Sequence, residues 1–182
     1  MALVVFLRGV NVGGHRRFRP SLLAQELRHL GAVNIGAAGT LVIRARVTRA
    51  KLRAELARRL PFETTIAICD GRDISSLINR EPYARERATP DVVRFISVLT
   101  ESPRSIPVLP MLFPWRGRWL VKILARDRRF IVGQYRRHMK TIGYLGEIDR
   151  VFGVPVTTRS WGTIASIGRV LATLAARRTT AL

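Results

Sequence analysis

Residues 2–14, ALVVFLRGVNVGG, set the beginning of the fold. The short apolar run 2–7, bounded by Gly9, predicts a buried β-strand. The glycines and the asparagine that follow predict a tight loop. Pro20 suits the first turn of a helix and Gly31 suits its end, with leucines at helical spacing between them. The chain therefore opens with a strand, a loop and a helix.

The same alternation continues through the first half of the chain. Two short strand patterns, residues 33–35 and 41–46, form a predicted pair around glycines. A helix capped by Thr48 comes next, and residues 64–69 predict another strand. The order is β-α-β-β-α-β, which is the split βαβ arrangement of a ferredoxin-like unit. Residues 1–87 are therefore predicted to form an N-terminal ferredoxin-like subdomain.

The second half has a different pattern. Residues 80–90 are charged and carry two prolines, so they are the predicted boundary between two subdomains. Residues 119–135 predict a hairpin, and residues 145–152 predict a helix. A strand at residues 92–99 is followed by a segment whose prolines exclude a helix or a central strand: Pro103, Pro107, Pro110 and Pro114.

A long helix is predicted at the end of the chain. Ser160 suits its N-cap, and core positions follow at helical spacing: Trp161, Ile164, Ile167 and Leu171. Residues 88–182 are therefore predicted to form a C-terminal α+β subdomain ending in this helix. The whole chain is predicted to be an α+β protein with two ferredoxin-like βαββαβ-type subdomains packed together.

The net charge is unusually high. The 182 residues include 32 lysines and arginines against 12 acidic residues, giving +20, and only three of the basic residues are lysines. Such a charge attracts phosphate backbones, anionic surfaces or acidic partner proteins. The alternative is GC-rich codon usage. Residues 1–87 carry +9 and residues 88–182 carry +11. This even distribution favours the compositional explanation, although folding can still gather charge on one face.

The composition predicts a soluble cytoplasmic protein. Hydrophobic residues make up 47% of the chain, which is enough for a packed core, and no apolar run is long enough to span a bilayer. No signal peptide is predicted at the start. Cys69 is the only cysteine and is predicted to be a buried thiol, which fits a reducing compartment. The three histidines have no metal-ligand spacing, so neither a metal nor a cofactor is predicted.

Two segments carry a resemblance to a known family. Residues 6–14, FLRGVNVGG, resemble the opening LLRGINVGG segment of bacterial domain-of-unknown-function family 1697. Residues 153–161, GVPVTTRSW, are similar to that family's G-x-P-x-T-x-R-N-W segment, with Ser160 in place of the asparagine. The resemblance implies a bacterial protein with a compact α+β fold of ferredoxin-like character. It implies no mechanism.

The first loop is the main candidate site. Glycines allow backbone N–H groups to approach an anion closely, and a basic run follows them. The alternative is that the glycines only permit a tight turn and that Asn11 hydrogen-bonds the local backbone. The anion-binding candidates in this region are Arg8, Asn11, Gly13, Gly14, Arg16 and Arg17.

A second candidate lies at the predicted start of the last helix, where Thr158 and Arg159 could hold an anion. The alternative there is that Arg159 pairs with a carboxylate or with C-terminal carbonyl groups.

Aromatic residues among arginines in residues 113–137 suggest a third candidate, because they could stack nucleobases and hold phosphates. The alternative is an ordinary hairpin whose alternate residues enter the core.

Together these features predict an uncharacterised binding protein that interacts with nucleic acid or a phosphorylated small molecule through a basic surface. No catalytic triad or pair of carboxylates can be assembled from the sequence. The alternative hypotheses are an enzyme acting on a phosphorylated or nucleotide substrate at residues 8–14, and a module that assembles with an acidic protein.

Overall fold

The computed structural model describes residues 2–11 and 18–179, with the side chains of residues 177–179 excepted. Two compact units make up the chain. The first unit comprises Met1–Arg80 and Gly162–Leu182, and the second unit comprises Glu81–Trp161. The domain boundary predicted between residues 87 and 88 stays a prediction, but the last helix belongs with the first unit rather than the second.

The described residues form nine strands and five α-helices, which confirms the α+β class. A single 3₁₀ turn, Arg28–Leu30, follows the first helix. The elements in chain order are β1 Leu3–Leu7, α1 Pro20–Glu26, β2 Ala32–Asn34, β3 Thr40–Ile43, α2 Arg49–Arg59, β4 Ile66–Asp70, α3 Gly71–Asn79, β5 Val92–Leu99, β6 Met111–Phe113, β7 Val121–Asp127, β8 Phe130–Arg136, α4 Thr141–Phe152, β9 Val156–Ser160 and α5 Trp161–Thr179.

The first unit contains a four-stranded sheet in the order β2-β3-β1-β4, with every neighbouring pair antiparallel. Its element order through β4 is the predicted β-α-β-β-α-β, while the ferredoxin-like assignment itself stays a prediction. One face of this sheet packs with α1 and α2 through buried aliphatic residues that include Val5, Leu23, Leu52 and Leu56. Helix α2 begins as predicted, because the Thr48 hydroxyl accepts a hydrogen bond from the Lys51 N–H (3.2 Å).

The second unit contains a five-stranded sheet in the order β6-β7-β8-β5-β9. Its element order is β-β-β-β-α-β, which differs from the predicted βαββαβ type. The prolines between β5 and β6 explain the difference, since they cannot continue a helix at the place where the first crossover helix would lie. The short strand β6 lies at the edge of the sheet, as expected for a segment bounded by Pro110 and Pro114.

The core of the second unit lies between this sheet and α4. Phe95, Ile123, Ile148 and Phe152 are completely buried there. Gly133 on β8 allows the Phe95 ring to lie against the backbone, because an added Cβ would be 2.7 Å from Phe95 Cε1. A larger residue at this position would therefore push the ring out of the core.

A segment before β5 is attached to the sheet of the second unit by long-range polar contacts. The buried Tyr83 hydroxyl lies within hydrogen-bonding distance of the Phe95 and Gly133 carbonyl oxygens. Burial raises the pKa of Tyr83 above its ordinary value, so the hydroxyl stays protonated. Further along the segment, Glu86 pairs with Lys122 on β7 (3.2 Å). These contacts join residues that lie far apart in the sequence.

The end of the chain corrects one prediction. Thr158 and Arg159 were expected at the start of the last helix, but they lie in β9, which pairs antiparallel with β5. The helix α5 begins directly afterwards. Ile164, Ile167 and Leu171 are buried as predicted, whereas Trp161 is only half-buried and its ring meets Tyr83 edge-on at 5.2 Å between centroids. Among the described helices, none combines the length and the apolar character that crossing a bilayer requires.

Candidate functional site

Asn11 begins the loop that was predicted to bind an anion, and its side chain is engaged by backbone groups. Its Nδ2 donates to the carbonyl oxygens of Phe18 (2.8 Å) and Ala37 (2.7 Å), and its Oδ1 accepts from the Phe18 N–H (2.9 Å). An amide nitrogen has two protons, so both protons of Nδ2 are used. Asn11 therefore ties the two ends of the loop to the turn between β2 and β3.

These contacts favour the turn interpretation for Asn11 over direct contact with a ligand. Arg8 is exposed nearby, and its backbone is fixed by the Thr65 carbonyl (3.0 Å) and the Thr64 hydroxyl (2.6 Å). The other loop candidates, Gly13, Gly14, Arg16 and Arg17, lie outside the described residues. Anion binding by this loop stays a prediction.

Thr158 and Arg159 lie in the second unit, within β9 rather than at the first turn of a helix. The Thr158 hydroxyl is 2.6 Å from that of Ser97 on β5. Arg159 is buried and donates from Nη1 to the Thr157 hydroxyl and to the Thr158 carbonyl, each at 2.8 Å. Burial lowers the pKa of the Arg159 guanidinium to about 10. These two residues therefore serve the β5–β9 pair, and the two predicted groups of candidates belong to different units.

The aromatic residues of the second unit fall into two groups. Phe113 and Tyr135 pack against the core, and Phe130 is buried, so the ordinary hairpin interpretation holds for these three. Trp115 is different, because 77% of its surface is exposed. An indole combines a large apolar ring with one N–H donor, which is why tryptophan is enriched at interfaces.

Trp115 begins a loop between β6 and β7 in which two tryptophans enclose two arginines and a central glycine. We call residues 115–119, WRGRW, the tryptophan–arginine loop. The Arg116 guanidinium lies 4.2 Å from the centroid of the Trp115 ring. At the other end of the loop, the Arg136 guanidinium lies 4.3 Å from the centroid of the Trp119 ring. Both distances are typical of cation–π contacts, which restrict the orientation of the two indoles.

Among the described residues, Asp91 is the only carboxylate that pairs with an arginine of the loop itself. It forms an ion pair with Arg136 and a longer one with the exposed Arg118 (3.3 Å). A hydrogen bond from the Thr89 side chain, together with Arg136, holds the pKa of Asp91 below its ordinary value. Asp91 therefore stays ionised and fixes Arg136 beneath Trp119.

The sequence around the loop is strongly basic, although Glu86 and Asp91 from the preceding segment pair with Lys122, Arg118 and Arg136. Residues 102–146 contain ten basic residues and one acidic residue, Asp127. This stretch includes β6, β7 and β8, the hairpin turn between the last two, and the start of α4. Charge of one sign at this density attracts polyanions.

A different arginine cluster lies in the first unit, and the sequence analysis did not find it. A cavity of about 450 Å³ is lined by Arg44, Arg72 and Ser75, with Leu171 and Leu174 of α5 on another side. An adjoining cavity of about 500 Å³ is lined by Arg46 and by Arg49, whose Nη2 lies 2.5 Å from Asp70 Oδ2. No local motif marks this cluster, because Arg44 and Arg72 are brought together by strand pairing.

Acid–base and metal chemistry find little support among the described residues. Within them, no group of three or more histidine, cysteine, aspartate or glutamate side chains is placed to hold a metal ion. Cys69 is buried, as predicted for a structural thiol.

Comparison with known proteins gives a fold and a family. No curated protein matches the chain. Among solved structures, the chain is similar to the conserved bacterial protein SP0830 from Streptococcus pneumoniae, with a TM-score of 0.60 and 17% sequence identity over 93% of this chain and 98% of that one. At this identity the similarity extends to the fold alone.

The family model described as "Protein of unknown function (DUF1697)" matches residues 1–108, which include the FLRGVNVGG segment. This match covers more than half of the chain and confirms the family resemblance inferred from the FLRGVNVGG segment, whereas the GVPVTTRSW segment lies outside the matched residues. The chain therefore belongs to the DUF1697 family.

Proposed function

We propose that this protein binds single-stranded nucleic acid through the tryptophan–arginine loop of its second unit. The observation that carries the proposal is the exposure of Trp115, a residue that is 77% exposed and whose ring is already oriented by Arg116. An indole presents two faces, and Arg116 stacks on one of them. The remaining face is available to an unpaired base, since every base has a π-face.

Charge around the loop supports the same partner. Arg116 and Arg118 are exposed on either side of Gly117, within a stretch of ten basic residues and one acidic residue. Stacking on an aromatic side chain is worth about 1–3 kcal/mol per base, and arginines next to it can contact the phosphates on either side. Stacking plus phosphate contact suits a flexible single strand, whose bases are not already stacked in a duplex.

The other hypotheses from the sequence remain as alternatives. An enzyme acting on a phosphorylated substrate at residues 8–14 would need donors there, and the amide protons of Asn11 are already used by the backbone. The cytoplasmic location is part of the proposal, because a buried single thiol and a nucleic-acid partner both fit that compartment.

The direct test is the affinity of the full chain for a fluorescently labelled oligonucleotide of about 12 unpaired nucleotides at about 0.15 M salt. Replacing Trp115 by alanine should weaken binding by roughly 5- to 150-fold, which is the range that loss of one stacked base implies. Ile106→Ala is the matched control, because Ile106 is another exposed apolar residue of the second unit and lies outside the loop. Equal effects of the two substitutions, or no binding by the unmodified protein, would refute the proposal.

The arginines permit a charge-matched version of the test. Arg116→Gln and Arg150→Gln each remove one positive charge from an exposed arginine of the second unit, but Arg150 lies on α4 and pairs with Glu147 (3.0 Å). If Arg116 contacts a phosphate, its loss should reduce the slope of log affinity against log salt by about 0.7, the value for one contact with a single strand. Arg150→Gln should leave the slope unchanged.

A further inference from the structure

At one end of the first sheet, one arginine lies on each side of the strand β1. Leu3, at the start of β1, pairs with Ile43 on one side and with Asp70 on the other. The strands β3 and β4 therefore end level with the beginning of β1. Arg44 follows β3 directly, and Arg72 lies two residues after β4, so their backbones are separated by about two strand spacings, roughly 10 Å.

Among the described residues, neither of these arginines has a side-chain partner. Within residues 2–11 and 18–176, no carboxylate or carbonyl oxygen lies within hydrogen-bonding distance of the Arg44 or Arg72 guanidinium, nor of the nearby Arg46. Asp70, at the end of β4, pairs with Arg49 instead. Because Asp70 is occupied in this way, it does not cap the first turn of α3, where Arg72 lies. The Arg44 and Arg72 guanidiniums are therefore available to an anion.

The side chain of Arg44 is nonetheless supported. Gly31 has a left-handed conformation (φ +60°), and a Cβ placed there would lie 3.0 Å from Arg44 Cβ and 3.4 Å from Arg44 Cδ. The aliphatic stem of Arg44 therefore runs along the bare α-carbon of Gly31. This packing limits the directions that the Arg44 guanidinium can take and reduces the entropy that binding would cost.

The cavity between these arginines has an apolar wall as well as a charged one. Leu171 and Leu174, one turn apart on α5, line it together with Ala175, and Leu171 is nearly buried. Ser75, one turn after Arg72 on α3, adds a hydroxyl. A ligand that filled this space of about 450 Å³ would place a negative group between the guanidiniums and an uncharged group against the leucines.

We propose that this cavity of the first unit binds a small phosphate monoester whose ester group is apolar. Two guanidiniums match the double negative charge of a phosphate monoester better than the single charge of a carboxylate. A nucleic-acid backbone fits less well, because its phosphates carry one charge each and its sugars offer no apolar surface to α5. The proposal goes beyond the nucleic-acid interaction of the second unit and does not depend on it.

The test is calorimetric titration of the full chain with two probes, inorganic phosphate and phenyl phosphate, and with benzoate for comparison. Both phosphates should bind saturably, and phenyl phosphate should bind about tenfold more tightly than inorganic phosphate because its ring covers the leucines. Benzoate should bind more weakly than phenyl phosphate. Arg44→Gln and Arg72→Gln should each weaken the binding of both phosphates by about tenfold or more.

Two further variants separate the parts of the proposal. Arg53→Gln removes an exposed arginine of α2 that does not line the cavity, and it should leave all affinities unchanged. Leu174→Ser should weaken phenyl phosphate but not inorganic phosphate. The proposal is overturned if neither phosphate binds saturably, if Arg53→Gln acts like Arg44→Gln, or if phenyl phosphate has no advantage over inorganic phosphate. None of these outcomes bears on oligonucleotide binding, which Trp115→Ala tests separately.

Discussion

The two units use their arginines in opposite ways. In the first unit, Arg44 and Arg72 line a cavity and have no acceptor among the described residues. In the second unit, Arg116 and Arg136 lie against tryptophan rings, and Arg136 also binds Asp91. Arginine therefore lines a cavity in one unit and lies against aromatic rings in the other. A net charge of +20 alone distinguishes neither role.

The units also differ in how their parts are joined. In the first unit the strands alternate with helices, and the helix α2 carries its own ion pairs, from Glu55 to Arg58 and Arg59. In the second unit the segment before β5 is attached through Tyr83 and Asp91 to strands that follow much later in the chain. Six of the seven large apolar side chains that are exposed among the described residues belong to the second unit: Ile106, Val108, Leu112, Trp115, Met139 and Ile142. The second unit therefore has long-range polar contacts that join its first segment to its later strands, and three substitutions can test them.

The largest effect is expected at Gly133. A Cβ at this position would lie 2.7 Å from Phe95 Cε1 and 2.8 Å from the Lys122 carbonyl oxygen, and the backbone atom cannot move away. Gly133→Ala should therefore lower the free energy of unfolding by about 3 kcal/mol, the upper end for overpacking a core. Urea denaturation measures this change in the free energy of unfolding. Gly146→Ala is the control, since Gly146 lies in α4 with no atom within 4 Å of its added Cβ, and it should stabilise by up to about 1 kcal/mol.

A smaller effect is expected at Tyr83. Tyr83→Phe removes the hydroxyl that bonds the Phe95 and Gly133 carbonyls and leaves the ring in place against Trp161. The free energy of unfolding should fall by about 1–2 kcal/mol, because a buried hydrogen bond is lost. In the second unit, all of whose residues are described, the Tyr144 hydroxyl has no hydrogen-bond partner. Tyr144→Phe should therefore change the free energy of unfolding by less than about 0.5 kcal/mol. Equal losses in Tyr83→Phe and Tyr144→Phe would show that the Tyr83 hydroxyl does not attach the segment before β5 to the sheet.

The smallest effect is expected when the pH is lowered. This test compares one carboxylate from each unit. Asp91 and Glu55 both have a pKa below the ordinary value in the folded protein. For Glu55, burial acts in the opposite direction, but Arg58 and Arg59 outweigh it. A lowered pKa contributes stability that is present above the unfolded pKa, about 4, and is lost as the pH falls through the folded pKa.

The size of this contribution depends on the unfolded chain as well. Arg58 and Arg59 stay next to Glu55 after unfolding, and Thr89 stays next to Asp91, whereas Arg136 separates from Asp91. The free energy of unfolding falls between about pH 5 and pH 3, and Asp91→Asn should therefore make this decrease smaller than Glu55→Gln does. Urea midpoints across this range provide the measurement. A smaller decrease with Glu55→Gln would contradict the long-range character assigned to the polar contacts of the second unit.

Local sequence patterns predicted most elements of the fold. The apolar run at residues 2–7, the Thr48 cap and the strand at residues 92–99 each depend on neighbouring residues, and each is present in the structure. The prolines before β6 correctly excluded a helix there. The prediction that Thr158 and Arg159 lie at the start of the last helix is wrong, because their strand is set by its pairing with β5 and carries little apolar periodicity of its own.

The sequence by itself determined the α+β class, the family and the excess of arginine, because each follows from residues close together in the chain or from composition. Only the tertiary structure decided which arginines meet. Arg44 and Arg72 flank β1 because antiparallel pairing aligns the ends of β3 and β4 with Leu3. Trp115 is exposed while Phe113, two residues earlier, packs into the core, because the loop leaves the sheet after β6. Strand register and burial join residues distant in sequence, and no local pattern encodes that pairing.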